Sequence, residues 1–298
     1  MDLTNKDLLL ALRECGGQRI ALGRYATGEH YFQTARSYAQ FLREQPGAPV
    51  RGRCDAGTVG RYACWLRDVR ACGHNTVAFY LRHLRAAYNA SGGDAAAAFR
   101  GVCTAPQRTR KRALPDGAIA ALAALPLAGM LAMWRDLFLF CFSARGMAFV
   151  DAAHLRKSDV AGGYISYRRH KTGQQLLVRL EPCMEQVMAR WRSPEGSPFL
   201  FPVLTAFGAA GWRQYASRLA MYNRALRILG ARIGCPDLSS YAARHSWATA
   251  AHRSGVPVGL ISEGLGHSSE RTTQVYLASF GASVLDEANR RVLRRAGL

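Results

Sequence analysis

The chain of 298 residues carries 40 Lys+Arg against 20 Asp+Glu, a formal net charge of +20 and a pI near 10.3. Its 49% hydrophobic content is enough for a packed core, which excludes a disordered basic tail, and its length corresponds to about two domains. So positive a balance favours a polyanionic partner and disfavours an ordinary metabolic enzyme.

Lysine occurs only at 6, 111, 157 and 171, so 36 of the 40 basic residues are arginine. Arginine recognises phosphate through a planar, bidentate fork; a GC-rich genome raises the same ratio. The eight cysteines, at 15, 54, 64, 72, 103, 141, 183 and 235, show neither C-x-x-C nor a Cys/His zinc spacing. They read as small buried or half-buried residues in a reducing compartment. The first twelve residues include Asp2, Lys6 and Asp7 and do not form a signal peptide. The most apolar run, Ala128 to Ala144, is broken by Arg135 and Asp136 and falls short of a membrane span. A soluble, cytoplasmic protein with no membrane contact is expected.

In chain order, residues 1–106 read as helices only, and form the expected N-terminal domain. Tyr31, Ala35, Tyr38 and Leu42 recur at helical spacing. Asp55 is an N-cap ahead of Val59, Tyr62, Leu66 and Val69, and Val77, Leu81, Leu84 and Tyr88 repeat the pattern. Between these stripes stand Arg61, Arg67, Arg82 and Arg85, a basic face suited to DNA. Residues 107–112, with Arg110 and Lys111, form a short basic linker after Pro106, and residues 113–298 form the second domain. The net charge is +6 over 1–106 and +14 over 107–298, so both parts can touch one polyanion.

The second domain is mainly helical with one β signal. Gly162-Gly163 leads into Tyr164–Tyr167, and Leu176–Val178 follows the turn-like His170-Lys171-Thr172-Gly173, giving an antiparallel hairpin with a lysine at its tip. Helices are expected at about 182–192, 212–234, 240–254, 257–264, 269–279 and 283–295.

Neither a G-x-x-x-x-G-K-[ST] loop nor a G-x-G-x-x-G turn is present, and acidic residues are too scattered for a two-metal site. What stands out is the string Ser239-Ser240-Tyr241-Ala242-Ala243-Arg244-His245-Ser246-Trp247-Ala248-Thr249. Twenty-three positions beyond Arg244 the turn Leu265-Gly266-His267 precedes a helix start, and nine further on comes Tyr276. Upstream, Ser143-Ala144-Arg145-Gly146 closes the apolar helix that contains Phe138–Phe142. Taken singly, Arg145 reads equally as a helix C-terminal charge, Lys171 as a solvated turn residue, His267 as a cap and Tyr276 as a core tyrosine. Arg244 among Ala and Trp is costly to bury unless paired.

Together these residues resemble the tyrosine recombinases, the phage-integrase-like site-specific recombinases, and look closest to the integrases and invertases of mobile elements. The resemblance implies a mainly α, two-domain DNA clamp with a small antiparallel β hairpin or sheet. It makes Arg145 and Arg244 the arginines that hold the scissile phosphate, Lys171 the hairpin lysine, His267 the third-motif histidine and Tyr276 the nucleophile. Such an enzyme cleaves and rejoins duplex DNA through a 3′-phosphotyrosyl intermediate with no metal, ATP or other cofactor. It also implies a homo-tetramer on two synapsed sites, with an accessory DNA-bending protein as a further partner and the nucleoid as the location. The tail stripe Val284, Ala288, Val292 and Leu293 would dock on a neighbouring subunit or fold back on its own. A DNA-binding relative without catalysis and a type IB topoisomerase are the rival readings.

Two positions depart from the family pattern. Histidine usually stands three residues before the second arginine, where this chain has Tyr241; a phenol donates a hydrogen bond but is no base near neutral pH. An acidic residue usually follows the first arginine by three, whereas Asp151 follows Arg145 by six. Asp151 is expected to orient that arginine.

The charge yields a direct expectation. If roughly six to ten phosphates are neutralised, affinity for duplex DNA falls about 10³- to 10⁵-fold between ~50 and ~200 mM salt. A titration of Kd against salt checks this, and a flat log–log plot would remove phosphate contact as the source of affinity.

Overall fold

The computed structural model describes residues 3–45, 49–107 and 113–266, together with Thr273, Leu293 and Arg294. Two compact units are present, Met1–Thr109 and Arg110–Leu298.

The first unit contains α1 (Asn5–Ala21), α2 (Tyr25–Glu44), α3 (Ala56–Asp68), α4 (His74–Ala90) and the short α5 (Ala95–Ala98). Short polar side chains start several of them. Thr4 and Asp7 form a reciprocal capping box on α1, and Asp55 accepts the Thr58 N–H at 2.8 Å at the head of α3. Tyr31, Ala35, Tyr38 and Leu42 of α2 join Val59, Tyr62 and Leu66 of α3 and Leu81, Leu84 and Tyr88 of α4 in one core. The core hydroxyls are satisfied internally: Tyr38 donates to Asn5 Oδ1 at 2.6 Å and Tyr62 to Ser37 Oγ at 2.9 Å. Val69 departs from its expected stripe. Helix α3 ends at Asp68, Ala71 takes φ 48°, and Val69 is left 61% exposed. Helix α1 shows no clear stripe in the sequence, because Gly16, Gly17 and interspersed charges blur its spacing; its capping box is the legible signal.

The second unit contains α6 (Ala118–Ala124), α7 (Gly129–Ser143), α8 (Phe149–His154), β1 (Val160–Ala161), β2 (Tyr164–Arg168), β3 (Gln175–Arg179), α9 (Pro182–Arg190), α10 (Gly208–Arg232), α11 (Ala242–Arg253) and α12 (Val258–Gly264). The strands form an antiparallel sheet in the order β1-β2-β3, with Arg168 opposite Gln175. The architecture is thus mainly helical with one small antiparallel sheet. The two-residue β1 carries too little alternation to be read from sequence. Side chains of β2 alternate, Ile165 and Tyr167 pointing into the core. That core gathers Trp134, Phe138, Phe140 and Cys141 of α7 around Phe199, Phe201, Tyr222 and Leu226. The helices expected at 269–279 and 283–295, and the tail stripe apart from Leu293, lie outside the described residues. Among the described residues no helix is long and apolar enough to cross a membrane.

The two charges that interrupt the apolar run of α7 are buried and paired. Arg135 donates to Asp136 at 2.7 Å and to the carbonyls of Ala123 and Leu125 behind α6. Asp136 also accepts from Trp191 Nε1 at 2.7 Å and Arg190 Nη1 at 3.2 Å at the end of α9. One ion pair therefore fixes three helices around the core. Asp136→Ala removes the carboxylate from a buried guanidinium and should cost about 3–5 kcal/mol. Urea unfolding with a lowered midpoint and unchanged m-value checks this; a change within ~0.5 kcal/mol would mean the pair is energetically idle.

Candidate active site

Helix α7 ends in a sharp reversal. Arg145 takes φ 55° and Gly146 φ 68°, two left-handed residues in succession, while Met147 N–H returns to the Cys141 carbonyl at 2.9 Å. A non-glycine residue in this region is strained by about 1–2 kcal/mol, so surrounding contacts must hold it there. The reversal leaves Arg145 exposed and buries Gly146 and Met147. Arg145 Nη1 lies 3.5 Å from the Leu177 carbonyl of β3. A Cβ on Gly146 would lie 2.8 Å from the Arg244 Cα, so glycine is required there by conformation and by approach.

Arg244 lies in the first turn of α11 and is 2% exposed. Its Nη1 donates to the Gly146 carbonyl at 2.9 Å and its Nη2 to the Leu265 carbonyl. One guanidinium thereby joins the Arg145 turn, helix α11 and the turn that follows α12. Gly266 closes that last turn at φ 63°, its N–H donating to Glu263 O at 2.8 Å. Tyr241 occupies the position before α11, and its side chain makes no capping hydrogen bond. Its ring meets His245 edge-on at 5.0 Å, and it lines a cleft of about 800 Å³ with Leu114, Arg227 and Pro236.

Lys171 is exposed in the connection 169–174 between β2 and β3. Asp151 is found beneath this loop instead of beside Arg145. Its Oδ1 accepts the His170 N–H at 2.8 Å, and its Oδ2 lies 4.0 Å from Arg169 Nε. The expectation that Asp151 orients Arg145 is corrected: the three additional residues carry it into α8, which packs under the hairpin. The His154 ring of α8 lies tilted against that of His170, with centroids 4.2 Å apart. Burial holds the His154 imidazole below its ordinary pKa, and His170 adds to that. Burial raises the Tyr167 phenol well above its usual range, and Asp151 adds to it, while Arg244 and Arg169 pull the other way.

The geometry brings Arg145 and Arg244 together around Gly146, and brings the Lys171 hairpin against the Leu265-Gly266 turn. Tyr241 stands at the head of the Arg244 helix, lining the cleft. His267 and Tyr276 lie outside the described residues, as do Arg110 and Lys111. In the first unit Arg61, Arg67, Arg82 and Arg85 are all exposed. Arg67 pairs with Asp68 at 3.0 Å, Arg61 reaches Thr58 Oγ1 at 3.1 Å, and Arg82 donates to Thr104 O at 2.9 Å. Arg169 was not singled out from sequence. Its signal is the β2 alternation, which continues from Ile165 and Tyr167 and turns residue 169 inward. Among the described residues no group of three or more His, Cys, Asp or Glu is arranged to hold a metal ion.

The profile of the phage integrase family matches residues 118–282. Tyrosine recombinase XerC of Rhodospirillum centenum (strain ATCC 51521 / SW) is 32% identical over 168 residues, 54% of this chain; the match spans about half of that relative, 48% of its length. In fold, the chain is similar to the Tn1549 transposon integrase in complex with transposon right end DNA, with TM-score 0.66 and 14% identity over 99% of this chain and 100% of that one. It is also similar to the XerH site-specific recombinase bound to difH substrate, with TM-score 0.65 and 13% identity over 97% of each chain. A lambda integrase dimer bound to a core site gives TM-score 0.54 at 14% identity, over 83% of this chain and 71% of that one.

The approach of Gly146 to α11 can be measured. Gly146→Ala combines left-handed strain with a clash against backbone and should destabilise by about 1–3 kcal/mol. Gly255→Ala is the control: φ is 81° there, but a Cβ would meet nothing within 4 Å, so only the strain is added. Equal losses in urea unfolding would show that Gly146 is held by conformation alone.

Proposed function

The chain belongs to the phage integrase family, and on that premise we propose that it is a site-specific recombinase acting on double-stranded DNA. Arg145 and Arg244 act as the phosphate clamp. Transesterification at phosphorus develops negative charge on the non-bridging oxygens, and forked, charge-assisted hydrogen bonds stabilise that charge. The observation that carries the reading is the junction at Gly146, where the Arg145 turn and the Arg244 helix meet backbone to backbone.

In this reading the Tyr276 hydroxyl attacks phosphorus, the P–O bond to the 5′-oxygen breaks, and a 3′-phosphotyrosyl ester forms. The ester conserves the bond energy for attack by the 5′-hydroxyl of another strand, so neither ATP nor a metal ion enters. Lys171, exposed on the hairpin loop, delivers a proton to the departing 5′-oxygen. His267 is the member of this set able to accept a proton near neutral pH, and Tyr241 contributes a hydrogen bond to the phosphate. The exposed arginines of α3 and α4, with Arg110 and Lys111, bind the duplex flanking the cleavage point. The working form is a homo-tetramer on two synapsed sites, assisted by a DNA-bending protein and located on the nucleoid, and the outcome is integration, excision or inversion of a DNA segment.

A nicked duplex carrying a site selected from random-sequence DNA by binding to the protein tests the assignment. The wild-type protein should form an SDS-stable protein–DNA adduct, and Tyr276→Phe should bind the site and form none. Adduct from Tyr276→Phe moves the nucleophile elsewhere; plasmid relaxation without strand exchange makes the protein a topoisomerase.

A further inference from the structure

One buried cation of the second unit has no part in the chemistry above. Arg169 directly follows β2, is 6% exposed, and its guanidinium reaches two segments distant in sequence. Nη1 donates to the Gly266 carbonyl, while Nε lies 4.0 Å from Asp151 Oδ2. Asp151 is itself buried and spends its other oxygen on the next residue of the loop, accepting the His170 N–H at 2.8 Å and facing His170 Nδ1 at 3.3 Å. The backbone of Arg169 is tied across the loop as well. Its N–H donates to Gln174 O at 2.9 Å and its carbonyl accepts from Gly173 at 2.8 Å. Lys171 therefore sits in a short loop held at both ends and at residue 170, and the same guanidinium holds the residue that precedes His267.

The hairpin and the turn are in close contact. A Cβ on Gly266 would lie 2.7 Å from Arg169 Cδ, 3.1 Å from Leu176 Cδ1 and 3.2 Å from Gln174 Oε1, so the turn fits against the hairpin only as glycine. The direct bond of the guanidinium goes to the Gly266 carbonyl, while Asp151, 4.0 Å from Nε and too far for a hydrogen bond, supplies the buried opposite charge.

We propose that Arg169 is a positioning residue that couples the Lys171 loop to the Leu265-Gly266 turn, so that the proton donor and this turn reach their working positions together. This rests on the recombinase reading for its consequence in rate. The coupling itself is structural and can be read without activity. Held by separate contacts, the loop and the turn would fluctuate independently; joined through one guanidinium, they order and loosen as one.

The test uses the full-length protein and two variants, Arg169→Ala and Arg169→Lys. By hydrogen exchange, Arg169→Ala should lose protection in residues 169–174 and around Leu265-Gly266 together, with the α7–α10 core unchanged. Arg169→Lys keeps the charge but has a single donor head, and should restore one segment and not both. On the nicked duplex, Arg169→Ala should bind with unchanged affinity and form adduct roughly 10- to 100-fold more slowly, the cost of one charge-assisted hydrogen bond. Part of that loss should be recovered on a 5′-bridging phosphorothiolate, whose sulfur leaves without a proton. Loosening of only one segment, or loss of protection throughout the unit in both variants, overturns the coupling. Wild-type adduct rates with both segments loosened overturn the positioning role. If the wild-type protein forms no adduct while exchange shows the two segments loosening together, the recombinase reading fails and the coupling stands.

Discussion

The second unit depends on one buried guanidinium bonded to main-chain carbonyls. Arg244 is 2% exposed and reaches Gly146 O on one side and Leu265 O on the other. Burying a cation costs several kcal/mol unless its donors are answered, and each hydrogen bond from a charged group returns about 1.5–3 kcal/mol. Those bonds can form only if the α7 reversal and the turn after α12 lie within a few ångströms of the first turn of α11. The left-handed conformation of Arg145 and the glycine at 146 follow from the same demand, since the chain must turn tightly to present its carbonyl. The approach of the two arginines and the packing of the unit are in this sense one arrangement.

Among the described residues, two guanidiniums and one carboxylate act on a single buried phenol. Asp151 is the carboxylate that acts on the buried Tyr167 phenol, against two guanidiniums, those of Arg169 and Arg244. Arg145 stands exposed at the turn in front of them. Arg61, Arg67, Arg82 and Arg85 of α3 and α4 are of another kind: they are exposed, so salt screens their charge.

Periodicity revealed much of this. The stripes on α2, α3 and α4 and the apolar run of α7 recur as the two cores, and strand β2 of the hairpin lies where Gly162-Gly163 and Gly173 bracket it. The short motif around Arg244 was legible because arginine and histidine among small residues are out of place unless they do something. Features formed between distant segments were not legible. Nothing in Asp151 and Arg169, eighteen positions apart, announces that they face each other under a loop, and the familiar spacing of an acidic residue after Arg145 suggested another partner. Val69 fits its stripe in sequence and leaves it in space because the helix ends one residue earlier. Strand alternation would have placed Arg169 inward, but a strand of five residues is a short base for extrapolating one position further.

The anchors of Arg244 and Arg169 on the carbonyls of Gly146, Leu265 and Gly266 have a consequence for how such a site changes over time. A carbonyl is the same whichever side chain its residue bears, so there is no second residue whose substitution could compensate a lost arginine. Pairs of positions that drift in concert, the usual trace of two side chains in contact, cannot arise across these joints. The joints would register only as positions where glycine or arginine does not vary. A method that infers contacts from correlated substitution is therefore blind to the bonds that hold this centre together.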